Sequence, residues 1–154
     1  MGKLYRKESS EIKLIIVVAT DEEYKLAKKR FNKTIIQTGV GGTNIIQKLR
    51  KIPKWIKILN IGYAGSNKLE IGTEVKVGEC QLYHPNVEYK ERIYKLNGQT
   101  KCFTSNDFII QTEVKEPCVF DMELAYILAL GFKNVESTKI VSDNLSLKEY
   151  KENI

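Results

Sequence analysis

The chain has 154 residues, 42% of them hydrophobic, which suits one domain of the common size, roughly 100–150 residues, with a real core. No stretch approaches the roughly 20 apolar residues of a membrane span, and no small-residue cleavage site follows the apolar run 12–19, so neither a membrane partner nor a leader is expected and a cytoplasmic location is the default expectation. The net charge of +6 is nearly all lysine, scattered along the chain, which reads as solvated helix faces and does not favour a nucleic-acid partner, whose readers lean on arginine forks and aromatic platforms.

Residues 1–10 are polar and expected to form a loose tail. Residues 11–20 are rich in Ile and Val and predict a buried strand. A helix is predicted over 21–31, with Asp21 as its cap and a partial apolar stripe of Tyr24, Leu26, Ala27 and Phe31. Residues 34–38 predict a short second strand that ends in Gly39-Val40-Gly41-Gly42. The next helix, over 43–51, puts Ile45, Ile46 and Leu49 on one face, and Pro53 marks a break. A third strand over 56–61 runs into Gly62-Tyr63-Ala64-Gly65-Ser66.

Farther along, 74–77 alternates polar and apolar as a half-exposed strand does, 81–83 and 87–96 read as extended, and Asn97-Gly98 is a hairpin-type turn. Residues 117–120 predict a short strand, 122–130 a helix that Gly131 can end, and 135–141 another strand. A short terminal helix is predicted over 145–153, capped by Asn144 or Ser146. Strands alternating with helices predict an α/β chain with a mostly parallel sheet, mixed by the extended middle.

In open α/β sheets, ligands bind beyond the carboxyl ends of the strands. Asp21-Glu22-Glu23, Gly39 to Gly42, Gly62 to Ser66, Asp121-Met122-Glu123 and Ser142-Asp143-Asn144 all follow predicted strands, so they fall at one edge. Each has a plain alternative: the acids can start helices, the glycines can simply turn the chain, and Met122 can be core. Their joint placement is what favours a site. The glycine run lacks both the Gly-Lys-Ser/Thr of a phosphate loop and full GxGxxG spacing. Cys80, Cys102 and Cys118 are widely spaced and His84 is the only histidine, so the usual zinc site is not expected and no cofactor is implied.

At these residues the chain resembles the nucleoside phosphorylase/nucleosidase superfamily, and most closely the 5′-methylthioadenosine/S-adenosylhomocysteine nucleosidases. Ala19-Thr20-Asp21-Glu22-Glu23 is similar to the acidic segment after the first strand, and Thr38-Gly39-Val40-Gly41-Gly42 to the glycine turn. Asn60-Ile61-Gly62-Tyr63-Ala64-Gly65 resembles the Asn-x-Gly-x-Ala-Gly segment, and Ser105-Asn106-Asp107-Phe108 the base-stacking segment. Phe120-Asp121-Met122-Glu123 resembles the Met-Glu ribose motif, and Lys139-Ile140-Val141-Ser142-Asp143 the final Ser-Asp motif. The resemblance implies a three-layer fold with helices on both sides of a mixed sheet. It also implies a purine nucleoside as ligand and a homodimer or higher homo-oligomer.

Carried over, the resemblance makes Glu23 and Asp143 catalytic, Glu23 acting on water and Asp143 on the purine N7. Phe108 would stack on the base, Glu123 would hold the ribose hydroxyls and Met122 would pack on the sugar. Gly41, Tyr63, Ala64, Gly65, Asp121, Lys139 and Ser142 complete the implied substrate-binding set, and Lys139 is the one cation there that could meet a phosphate. The chain departs from the pattern by being shorter: fifteen residues separate Glu23 from Gly39 and eight separate Phe108 from Pro117, where relatives insert further elements. Tyr63 also stands where relatives carry a small Ser or Thr. Hydrolysis of a purine nucleoside is the leading expectation. Phosphorolysis, or nucleoside binding without turnover, is the alternative.

Overall fold

The computed structural model describes residues 13–86 and 91–154. The tail predicted at 1–10, the first two residues of the first predicted strand and residues 87–90 of the extended middle lie outside the described residues. The elements in chain order are β1 (Leu14–Val18), α1 (Asp21–Arg30), β2 (Thr34–Gln37), α2 (Gly42–Leu49), β3 (Lys57–Ser66), β4 (Glu74–Leu82), β5 (Tyr94–Lys95), β6 (Thr100–Thr104), β7 (Cys118–Asp121), α3 (Leu124–Ala129), β8 (Val135–Asp143) and α4 (Leu147–Asn153).

Strand β1 lies between β2 and β3, parallel to both, and β3 pairs in parallel with β8. From β8 the pairing passes antiparallel to β4, then parallel to β6 and β7. Strand β7 returns antiparallel to β3 through Gly65↔Phe120 and Ser66↔Val119. Strands β3, β8, β4, β6 and β7 therefore form a closed ring, with β1 and β2 as a parallel extension.

The alternation of side chains along β1 sets the layers. Ile15 and Val17 join a core with Ile45 and Leu49 of α2 and Leu124, Ala125 and Ile127 of α3. Ile16 and Val18 face the other way, with Ala27 of α1 and Ile61 of β3. Helix α1 thus covers one face and α2 and α3 the other, the three-layer arrangement expected. Ile46, predicted on the buried stripe of α2, is 46% exposed.

Three local expectations are corrected. The cap of α1 is Thr20, not Asp21: its Oγ1 accepts the Glu23 amide at 3.2 Å, and the Glu23 carboxylate accepts the Thr20 amide in return. Residues 62–66, read as following the third strand, continue it, because β8 supplies partners as far as Gly65. The Asn97-Gly98 turn does not join a hydrogen-bonded hairpin. It straddles β4, so that β5 and β6 pair with opposite edges of that strand. The crossing needs two glycines, since a Cβ on Gly78 would lie 2.3 Å from the Gly98 carbonyl oxygen and one on Gly98 2.2 Å from that of Lys76.

Candidate active site

Beyond the carboxyl ends of β1, β3, β7 and β8 lies a cavity of about 240 Å³. Glu23, Tyr63, Ala64, Gly65, Phe108, Asp121, Met122, Glu123 and Asp143 line it, nine of the residues singled out from sequence. Gly41, Lys139 and Ser142 do not reach its surface. They stand directly behind it, each bound to one of its acids.

Glu23 sits in the first turn of α1 and is buried. Its Oε1 accepts the amides of Ala19 at 2.8 Å and Thr20 at 3.3 Å, and its Oε2 accepts that of Tyr63 at 2.8 Å. The capping box thus aims this carboxylate at the end of β3. Burial pushes its pKa above the ordinary carboxylate value, and Lys139 and the three amides partly offset that.

Glu123 caps α3 at the end of β7, and its Oε2 accepts the Gly41 amide at 2.9 Å. That amide is presented by a residue with φ of +94°, a conformation open to glycine and strained for other residues. Burial first, then the neighbouring Asp121 charge, push Glu123 up to about 7. Asp121 behaves oppositely. Burial alone would raise it, but Lys139 at 3.0 Å, the Thr104 hydroxyl at 2.5 Å and the Leu124 amide at 2.8 Å hold it below the usual range.

Asp143 ends β8 and is buried. Its Oδ1 accepts the Ser142 hydroxyl at 2.7 Å and its Oδ2 the Leu145 amide at 3.0 Å. Burial raises its pKa against those hydrogen bonds. Ser142 thus serves Asp143. Lys139 is 1% exposed and paired with Asp121, so it is not presented to an incoming phosphate.

Sequence reading missed Tyr150. This residue of α4 lines the cavity with its ring 5.6 Å from that of Phe108, edge to face. Nothing local marks it, because its role comes from where α4 docks. Ala19, Thr20, Val40 and Phe120 also line the cavity and have no role assigned from sequence. His84 follows β4, accepts the Asn86 amide at its Nδ1 and does not line the cavity, and the three cysteines are buried and free.

The fold that carries this cavity has counterparts among solved structures. An MTAN from Chlamydia trachomatis superposes with a TM-score of 0.75 at 14% identity, over 94% of this chain and 89% of that one. The chain has the nucleoside phosphorylase/nucleosidase fold. An S-adenosylhomocysteine nucleosidase from Streptococcus pyogenes, solved in complex with 5-methylthiotubericidin, shares this fold with a TM-score of 0.73 at 17% identity, over 95% of this chain and 91% of that one. A futalosine hydrolase of Helicobacter pylori gives 0.72 at 14% identity, over 92% and 90%. No protein-family model and no curated protein sequence matches the chain.

Within the nucleosidase fold this chain is compact. Helix α1 leads to β2 without an intervening hairpin, and no helix forms between Phe108 and Pro117. Among the described residues no helix is long and apolar enough to cross a membrane.

Proposed function

We propose that the cavity binds a purine nucleoside and hydrolyses its N-glycosidic bond. The observation that carries this reading is the convergence of Glu23, Glu123 and Asp143, far apart in sequence, around one cavity that also holds an aromatic face, Phe108. In the reaction a water adds to C1′ and the bond from C1′ to the base nitrogen breaks. The bonding pair leaves with the purine, which takes a proton from Asp143, and Glu23 takes the proton released by the water. The sugar develops positive charge on the way, which fixed carboxylates stabilise in a low-dielectric site. Glu123 holds the ribose hydroxyls, with Met122 against the sugar and Phe108 against the base.

Burial raises both Asp143 and Glu23, so the electrostatics by themselves do not divide the roles. An acid that donates a proton near neutrality needs a raised pKa, and burial raises that of Asp143. A base needs a free lone pair. Glu23 already accepts three amides, two of them on Oε1, and a carboxylate offers about four lone-pair sites, so one remains on Oε2. That near-saturation favours binding without turnover as the second reading. Hydrolysis is preferred to phosphorolysis because no arginine or lysine is among the described residues lining the cavity and Lys139 is committed to Asp121.

Incubation with methylthioadenosine, S-adenosylhomocysteine, adenosine and inosine, with and without phosphate, followed by measurement of free base, tests the reading. Base release that does not need phosphate is the expected result. Asp143→Asn and Glu23→Gln should each lower it by about 10²–10⁴-fold, the usual weight of a general acid or base. Release that requires phosphate would make the protein a phosphorylase. Tight nucleoside binding with no release would leave only the binding role.

A further inference from the structure

Lys139 lies on the inward row of β8, between Ser137 and Val141, where the alternation of the strand calls for a core side chain. It is among the largest fully buried side chains. Its Nζ is 3.0 Å from Asp121 Oδ2. A Cβ built on Gly62 would lie 3.3 Å from that same Nζ and 2.9 Å from Glu23 Oε2, which brings Lys139 close to Glu23 as well. Glu123, two residues beyond Asp121, feels the same cation. A buried ion pair is poor evidence of stabilisation, because well-packed apolar residues often serve the fold equally well. Two long-range partners and a third nearby acid give this cation another reason to be there.

We propose that Lys139 is a positioning residue, a fixed buried cation shared by Asp121, Glu23 and Glu123 that sets how much negative charge the cavity floor can hold. It does not touch the substrate. It acts through the acids that do, and so links the base end of the site at Glu23 to the sugar end at Glu123. The inference deepens the hydrolase reading and rests on it for its chemical meaning.

The charges around the cluster give the expected direction. Lys139 is faced by Asp121, Cys102, Glu123 and Glu23. Burial alone would lower its pKa, but these groups outweigh that and keep it protonated. Glu123 is faced by Asp121 and Glu23, which raise it, and by Lys139 and the Gly41 amide, which lower it. Tyr150, from α4, faces Glu23, Glu22, Glu123 and Asp143.

The test compares Asp121→Asn with the double variant Asp121→Asn/Lys139→Met, so that the informative pair leaves no aspartate buried without its cation. The readout is the glutamate side-chain carboxyl titration by ¹³C NMR in ligand-free protein, alongside the pH profile of base release from methylthioadenosine. Asp121→Asn should move the Glu123 midpoint down from about 7. The double variant should move it back up by about one pH unit or more relative to Asp121→Asn, the usual effect of a nearby opposite charge. The rising limb of the rate profile should move the same way. Identical midpoints in the two variants would overturn the proposal, as would a downward shift on removing Lys139. Midpoints that move as expected in a protein that releases no base would uphold the shared cation and refute the hydrolase reading.

Discussion

Gly62 and Gly65 stand where β3 passes the acids. A Cβ on Gly65 would lie 2.8 Å from Asp143 Oδ2, and one on Gly62 2.9 Å from Glu23 Oε2. The missing side chains are room for two carboxylates. Gly65→Ala should displace Asp143 and, since a shift of about 1 Å can cost about a hundredfold in rate, reduce base release about that much. The protein should stay folded, as circular dichroism would check. Titration at Glu123 supplies a second residue-scale expectation. Its folded pKa of about 7 lies above the ordinary 4.5, so the protonated carboxyl is favoured by folding. The stability it contributes is fully present below its unfolded pKa and is lost as pH rises through about 7. Melting temperature should therefore fall between about pH 5 and about pH 8, and Glu123→Gln should flatten that fall. Most of these side chains were readable in the sequence because each follows a strand. The family resemblance implies a ligand contact for Lys139, whereas its place in the alternation Val135, Ser137, Lys139, Val141 points inward. Tyr150 was invisible because only the docking of a distant helix brings it to the cavity.

Among the elements, α1 carries the closest tie between local structure and chemistry. Its capping box is made by Thr20 and Glu23, and the same carboxylate reaches Tyr63 on β3. Thr20→Val keeps the size of the side chain and removes the acceptor, at a cost of about 1 kcal/mol measurable by urea denaturation. It should also loosen Glu23, so nucleoside hydrolysis should fall more than stability alone explains. The helices and β8 are legible in the sequence to within the usual residue or two at their ends, and β1 lies inside its predicted range, ending two residues short of it. The second half of β3 was not. Glycine-rich segments read as turns, and here they are strand because β8 pairs alongside. The turn at Asn97-Gly98 was recognised, but its straddling of β4 depends on Gly78, nineteen residues earlier by number. Gly98→Ala should therefore cost more than an exposed turn substitution would, about 1–3 kcal/mol or beyond, as overpacking does.

At the scale of the whole molecule, the ring of β3, β8, β4, β6 and β7 draws its strands from both halves of the chain. Unfolding one strand breaks pairings on two sides, so a cooperative transition is expected. Trp55, packed against the larger core just before β3, reports on one side of the ring, while far-ultraviolet circular dichroism reports on all of it. The two denaturation curves should coincide, and separate midpoints would show that β1, β2 and α1 melt apart from the rest. The mixed parallel architecture was foreseen from the alternation of strands and helices. Closure was not, because antiparallel contact between Gly65-Ser66 and Val119-Phe120 leaves no mark in either segment.

That seam is only two residue pairs long, and it lies directly beneath the cavity. Tyr63, Ala64 and Gly65 approach the cavity from one side of it, Phe120 and Asp121 from the other. A nucleoside seated across both sides would act as a clasp, fastening the weakest join of the barrel from above. The amides along this join should then exchange with deuterium more slowly once a ligand is bound, while those between β1 and β2 keep their pace.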